Sequence, residues 1–245
     1  MNILSVRPLA DSAVTLSLAD AVGEHAAAKV GAAVKAIRAA IERGELLGAT
    51  EVAGAFCSVT VHYDCLTVSQ GDLVARLQGL LASTEPLSAG TGRLWTLRCL
   101  YGGEAGIDLP ELAGRLGLPE AEIVARHAAV EFRVYALGFL PGLPFLGDLP
   151  ADLALPRRSE PRTRVPPGSV AVANLMCVIY PWASPGGWHI LGCCPVPLFD
   201  VARRHPSLLA PGDRVRFAPV TPERFAELRA AALEGHLDLA TLSGD

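Results

Sequence analysis

Lysine is nearly absent: Lys29 and Lys35 are the two in a chain of 245 residues, against 19 arginines. No lysine follows position 35, so the rest of the chain holds neither a Walker-type G-K-[ST] phosphate loop nor a lysine for Schiff-base chemistry. The six cysteines, Cys57, Cys65, Cys99, Cys177, Cys193 and Cys194, form no C-x-x-C, which argues against a zinc ribbon. The N-terminus, MNILSVRPLADSAV, has no basic segment followed by an apolar one, so no signal peptide is expected. A cytoplasmic chain with free thiols is the expectation. No apolar run reaches the roughly 18–20 residues of a membrane span. A net charge of −4 gives no electrostatic footprint for nucleic acid.

Charge itself is missing from one long stretch. Between Val165 and Phe199, 35 residues contain no Asp, Glu, Lys or Arg. Pro166, Pro167, Pro181, Pro185, Gly186 and Gly187 interrupt that stretch, so it reads as short strands joined by tight turns. Such a segment suits the inner strands of a barrel plus one flank of a pocket or subunit interface, where charges are depleted and aromatic residues such as Trp182 and Trp188 are enriched.

What is present divides in two. Residues 1–88 read as a small α+β domain. Ile3–Pro8 and Ala13–Leu18 look like strands, and Val30, Val34, Ile37 and Ile41 give a helical stripe within 21–43. Glu51–Tyr63 is β-rich, with Val59, Val61 and Tyr63 on one face. Ser69 with Asp72 is a capping signature ahead of Leu73, Leu77 and Leu80. STEPLSAGT, 84–92, is a linker candidate. Residues 89–245 read as a mainly-β barrel or sandwich with short helices after Asp108 and Pro119, and a last helix starting at Thr221-Pro222 with Phe225 and Leu228 facing inward.

Four stretches carry candidate chemistry. LYGGEAGIDL (100–109) places Gly102 and Gly103, which tolerate φ > 0, beside Glu104 and Asp108. Glu104 is the better acid/base candidate, because Asp108 sits where a helix cap belongs, with Glu111 three residues on. VYALGFLPGLPFLGDL (134–149) offers Phe139, Pro141 and Phe145 as pocket wall or core. LPRRSEPRTRVPPGSVAVA (155–173) gathers Arg157, Arg158, Arg162 and Arg164 among stiffening prolines, an arrangement suited to carboxylate or phosphate. IYPWASPGGWHILG (179–192) adds Gly186 and Gly187, whose amides could cradle an oxyanion, with Trp188 and His189 next to them. His127 lies on the apolar face of a helix and serves either as a hydrogen-bonded core residue or as a proton-transfer group. Cys177, Cys193 and Cys194 could form a thiolate or soft-metal site. Adjacent strand residues face opposite ways, however, and buried cysteine behaves as a small hydrophobe, so no metal ligand set is assigned.

These stretches, in this order, resemble the family whose members are variously called allophanate hydrolase subunit 1, kinase inhibitor KipI and the B-type subunit of 5-oxoprolinase. GF-x-PG-x-P-x-LG, PRR-x-x-PR-x-x-VP-x-GSV and YP-x-x-SPGGW are the specific pieces. The resemblance implies a cyclophilin-like barrel after a small α+β domain. It also implies a subunit of a complex that opens 5-oxoproline to glutamate with ATP, with Mg supplied through the complex. Partners would be a paralogous subunit (the C-type subunit of 5-oxoprolinase, or KipA-like) and a LamB/YcsF-type subunit. Other branches imply a regulator of a histidine kinase, or a carboxyltransferase-like module of a urea carboxylase. On this pattern Glu104 and His127 are the expected catalytic pair. The four arginines, Gly102, Gly103, Gly186, Gly187, Trp188 and His189 are the expected substrate or anion contacts. The chain departs from the pattern at Met176, Cys177 and Val178, where Gln, Thr and Gly are usual, and at Cys193-Cys194, where Arg-Thr is usual. Its pocket should therefore be more apolar and less cationic.

Overall fold

A computed structural model describes residues 1–86 and 92–244. Most of the expected linker at 84–92 lies outside the described residues. The chain divides into two compact units, Met1–Thr91 and Gly92–Asp245.

In the first unit, β1 (Ser5–Leu9), β2 (Ala13–Ser17), β3 (Ala49–Ala55) and β4 (Ser58–Tyr63) form an antiparallel sheet ordered β1-β2-β4-β3. The single β-rich run expected at 51–63 is a hairpin, turned at Phe56 with a left-handed φ of 51°. Two helices, α1 (Glu24–Glu42) and α2 (Gln70–Ala82), supply the rest of the core. Val14, Leu16, Val59 and Val61 from the sheet meet Val30, Ile37, Leu73 and Leu77 from the helices. The period-2 and period-3.6 patterns each bury one face, which is why both were legible. Ser69 caps α2 as expected, its Oγ accepting from the Asp72 amide at 3.2 Å.

The second unit is built on a closed barrel of seven strands. These are β5 (Leu94–Tyr101), β6 (Phe132–Leu137), β7 (Pro144–Gly147), β9 (Ser169–Ala173), β10 (Met176–Ile179), β12 (His189–Cys193) and β13 (Arg214–Pro219). Their order is β12-β9-β10-β7-β6-β13-β5, and β12 closes onto β5 through Gly192↔Tyr101 and Cys193↔Leu100. The β13–β5 pair is parallel and the others are antiparallel, so the barrel is mixed. Between β5 and β6 run α3 (Leu109–Leu116) and α4 (Glu120–Ala129). A short ribbon, β8 (Arg162–Val165) with β11 (Ser184–Gly186), lies outside the barrel sheet. Helix α5 (Pro222–Leu233) follows β13, with Phe225 buried and Leu228 half-buried, and β14 (Ser243–Gly244) adds to β5.

The charge-free stretch now has a physical cause. Val170, Val172, Cys177, Ile179 and Leu191 point into the barrel core with Phe132, Val134 and Phe217. Their neighbours Ala171, Ala173, Val178 and Ile190 point outward, but they too are buried, in a second cluster with Leu143, Val165, Tyr180 and Trp188. Strands β9, β10 and β12 are thus covered on both faces, and a charge on either would be desolvated. Among the described residues, no helix is long and apolar enough to cross a membrane.

Candidate functional site

The outer cluster is not filled. A cavity of about 180 Å³ is lined by Phe139, Phe145, Arg157, Tyr180, Gly186 and Trp188, with Leu143, Val178 and Pro185. Three of the four conspicuous stretches meet here. The rings of Phe145 and Trp188 are tilted at 59° with centroids 6.3 Å apart. Phe139 is 71% exposed and held at a left-handed φ of 67°, which presents a bulky apolar ring at the mouth. Arg157 is the one formally charged residue of the wall.

Arg157 is presented by a loop pinned at both neighbours. The Pro156 carbonyl accepts from His189 Nε2 at 2.9 Å, and the Arg158 amide donates to the Gly187 carbonyl at 2.7 Å. His189 is fully buried and acts through this contact; its Nδ1 has no partner among the described residues. Gly186 is a strand residue, and neither it nor Gly187 has a left-handed φ. Gly186 is required by close approach instead: a Cβ there would lie 2.4 Å from the Tyr180 hydroxyl. Neither glycine uses the left-handed region, and Gly186 meets the cavity through close approach.

The four arginines do not all face the cavity. Arg158 and Arg162 turn inward onto Asp108, a buried carboxylate at the start of α3. Arg162 Nη2 pairs with Asp108 Oδ1, which lies 3.4 Å from Arg158 Nη1, and Arg158 also pairs with Glu111 at 2.8 Å. Asp108 Oδ2 accepts from the Ile190 amide at 2.7 Å. Asp108 holds the N-cap position of α3 without a side-chain cap bond. Its carboxylate serves long-range partners in place of the expected cap, because partly buried guanidiniums need a counter-charge. The Arg158 contact holds the Glu111 carboxyl below its usual range. Arg157 and Arg164 remain exposed, and of the four only Arg157 lines the cavity.

The expected acid/base pair lies away from this cavity. His127 is fully buried between Tyr101, Phe132 and Phe217, with Nδ1 2.8 Å from the Tyr101 hydroxyl. Burial drives its pKa down to about 3, so it is neutral near pH 7. The structure therefore places it in the barrel core, outside the wall of this cavity. Glu104 is exposed on the turn after β5. Gly102 and Gly103 there have φ of 69° and 52°, as their residue type permits, but the Gly102 amide is spent on the Leu191 carbonyl at 3.0 Å.

The six cysteines are free thiols. Cys177 and Cys194 are in the barrel core, and burial raises both thiols, Cys194 to about 12. Cys193 faces the other way and lines a groove beneath α5. Among the described residues no group of three or more His, Cys, Asp or Glu is placed to hold a metal. The sequence reading missed Asp108 as an ionic hub and Tyr180 as a pocket residue. Tyr180 had a signal in the YP-x-x-SPGGW run, which ends on Trp188.

The closed mixed barrel and the α+β unit share their fold with part of a much larger enzyme. The chain superposes on the K. lactis urea amidolyase with a TM-score of 0.76 at 18% identity, covering 97% of this chain and 17% of that one. By sequence, residues 4–209 match the family described as carboxyltransferase domain, subdomain C and D, and the chain belongs to that family. It is similar to the B-type subunit of 5-oxoprolinase from Bacillus subtilis, 35% identical over 90% of this chain and 94% of the relative. It is also similar to the solved structure of TTHA0988, with a TM-score of 0.73 and 38% identity over 89% of this chain. The chain spans about 40% of the length of TTHA0988.

Proposed function

We propose that this chain is the B-type subunit of an ATP-dependent amidohydrolase that opens 5-oxoproline to glutamate, and that the cavity under the ribbon binds the lactam. The observation that carries this reading is Arg157, the lone charge on a small aromatic wall. A flat five-membered ring with one carboxylate has the complementary chemistry: the ring lies among Phe145, Tyr180 and Trp188, and the carboxylate meets the guanidinium. Relatives named as the B-type subunit of 5-oxoprolinase support it.

At about 180 Å³ the cavity is smaller than the roughly 300–1,000 Å³ of drug-sized sites, and it does not fit a nucleoside triphosphate. ATP with its Mg is therefore assigned to another surface of the assembled complex, where it supplies activation of the amide oxygen. The paralogous C-type subunit and the LamB/YcsF-type subunit are the proposed partners. Glu104 is the member of the expected acid/base pair that a substrate held by a partner could reach, since solvent reaches it. We further read the two compact units as an α+β domain and a cyclophilin-like barrel domain.

Calorimetric titration of the chain, co-purified with its partner subunits, tests the function. Binding of 5-oxoproline at micromolar to low millimolar concentration is expected. No binding of 5-oxoproline removes the enzyme reading and leaves the histidine-kinase regulator. Binding of a biotin-linked carboxyl group in its place points to the carboxyltransferase-like module, which the barrel likeness supports.

A further inference from the structure

We propose that the Tyr180 hydroxyl is the specificity-determining donor of this cavity, giving its hydrogen bond to the uncharged carbonyl oxygen of a cyclic amide while Arg157 takes the carboxylate. The inference rests on the reading of the cavity as the lactam site. Tyr180 is only 3% exposed and its ring packs in the outer cluster with Trp188, Leu143 and Val165. Its backbone is fixed, the amide donating to the Ser169 carbonyl at 2.9 Å and the carbonyl accepting from the Gly168 amide at 2.7 Å. Its hydroxyl oxygen makes no hydrogen bond to another described residue and is open to the cavity, not sealed in the core. Water or a ligand in the cavity can therefore pair with it.

The position is also one the chain protects. The hydroxyl lies against Gly186, where any side chain would collide with it at 2.4 Å. Both residues line the cavity. A packing role for the ring would not require the oxygen, and phenylalanine would fill the same space. The oxygen is explained if a ligand accepts from it. Burial raises the tyrosine pKa, with Arg157 acting in the opposite sense, so the hydroxyl keeps its proton and is a donor. A donor aimed at a neutral oxygen and a cation aimed at an anion give two-point recognition. Ligands that share ring and carboxylate but lack the carbonyl are then disfavoured.

The test uses Tyr180→Phe in the native complex, with 5-oxoproline and cyclopentanecarboxylate as paired ligands. The melting temperature should stay about the same, since the hydroxyl holds no partner within the described residues. Affinity for 5-oxoproline should fall about tenfold, whereas cyclopentanecarboxylate binds both proteins alike. Equal 5-oxoproline affinity in the two proteins overturns the role of Tyr180 and leaves the cavity reading standing. Parallel loss of both ligands, or a lowered melting temperature, makes Tyr180 a packing residue and also overturns the proposal. Wild-type complex that binds neither ligand at millimolar concentration overturns the cavity reading and this inference with it.

Discussion

Asp108 Oδ2 accepts a 2.7 Å hydrogen bond from the amide of Ile190, 82 residues further along the chain. The other oxygen of the same carboxylate faces Arg162 and Arg158. One buried acid thereby ties the start of α3 to β12 and to the arginine-rich loop that presents Arg157.

Removing that acid should destabilise the barrel unit. Asp108→Ala strands the Ile190 amide and the Arg162 guanidinium, which is about a quarter exposed, while Arg158 keeps Glu111. The cost should be about 2–4 kcal/mol, the lower part of the range reflecting that exposure. Urea denaturation measures it. A variant within about 0.5 kcal/mol of wild type means that water replaces the tie at no cost.

Arg157 and Arg162 should separate binding from stability. Arg157→Ala removes an exposed cavity residue and should leave the unfolding midpoint unchanged. It should weaken 5-oxoproline binding by roughly tenfold to a hundredfold, the size of a charge-assisted hydrogen bond. Arg162→Ala should do the opposite, lowering the midpoint with little direct effect on affinity. Paired melts and titrations decide, and identical behaviour of the two variants contradicts the split cluster.

His127 should make the barrel unit sensitive to acid. Its folded pKa of about 3 lies below the ordinary value of 6.5, so between those limits the unfolded chain binds a proton that the folded chain refuses. Stability contributed by the neutral imidazole is present above pH 6.5 and falls by about 1.4 kcal/mol per unit as pH drops toward 3. His127→Gln keeps a polar partner for Tyr101 but does not titrate. Its stability should fall less steeply between about pH 6 and 4, as read by denaturation at several pH values.

Thiol reactivity should follow burial. Cys65 is exposed and should react first with a thiol reagent in the native protein. Cys99, Cys177 and Cys194 are buried with raised pKa values, so they should react only on unfolding. Mass mapping after a short labelling pulse reads the order. Early labelling of Cys194 would show that the barrel core opens.

Much of the architecture was legible because it rests on local rules. The cap at Ser69, the stripe of α1 and the alternation of β4 each depend on residues within two turns or one strand. The hairpin at Phe56 was not legible, since no Gly, Asn or Asp marks its left-handed residue. The arginine cluster was legible as a cluster, but its division was not. Whether a guanidinium faces a ligand or an internal acid depends on a carboxylate about 50 residues upstream, brought close only by barrel closure.

By itself the sequence determined that one segment suits the inner strands of a barrel and one flank of a pocket or interface. Thirty-five residues without a formal charge, broken by proline and glycine, fit short strands largely shielded from water. It also determined that phosphate chemistry here has no lysine after position 35 to rely on. Only the tertiary structure decided what the covering leaves open. The ribbon β8–β11 lies over the outer cluster and leaves a gap edged by Arg157 and Tyr180, two residues 23 positions apart in the chain. The physical reason is range. Periodicity and desolvation act on neighbours in sequence, whereas a cavity is fixed by the shapes of side chains that meet only after the barrel has closed.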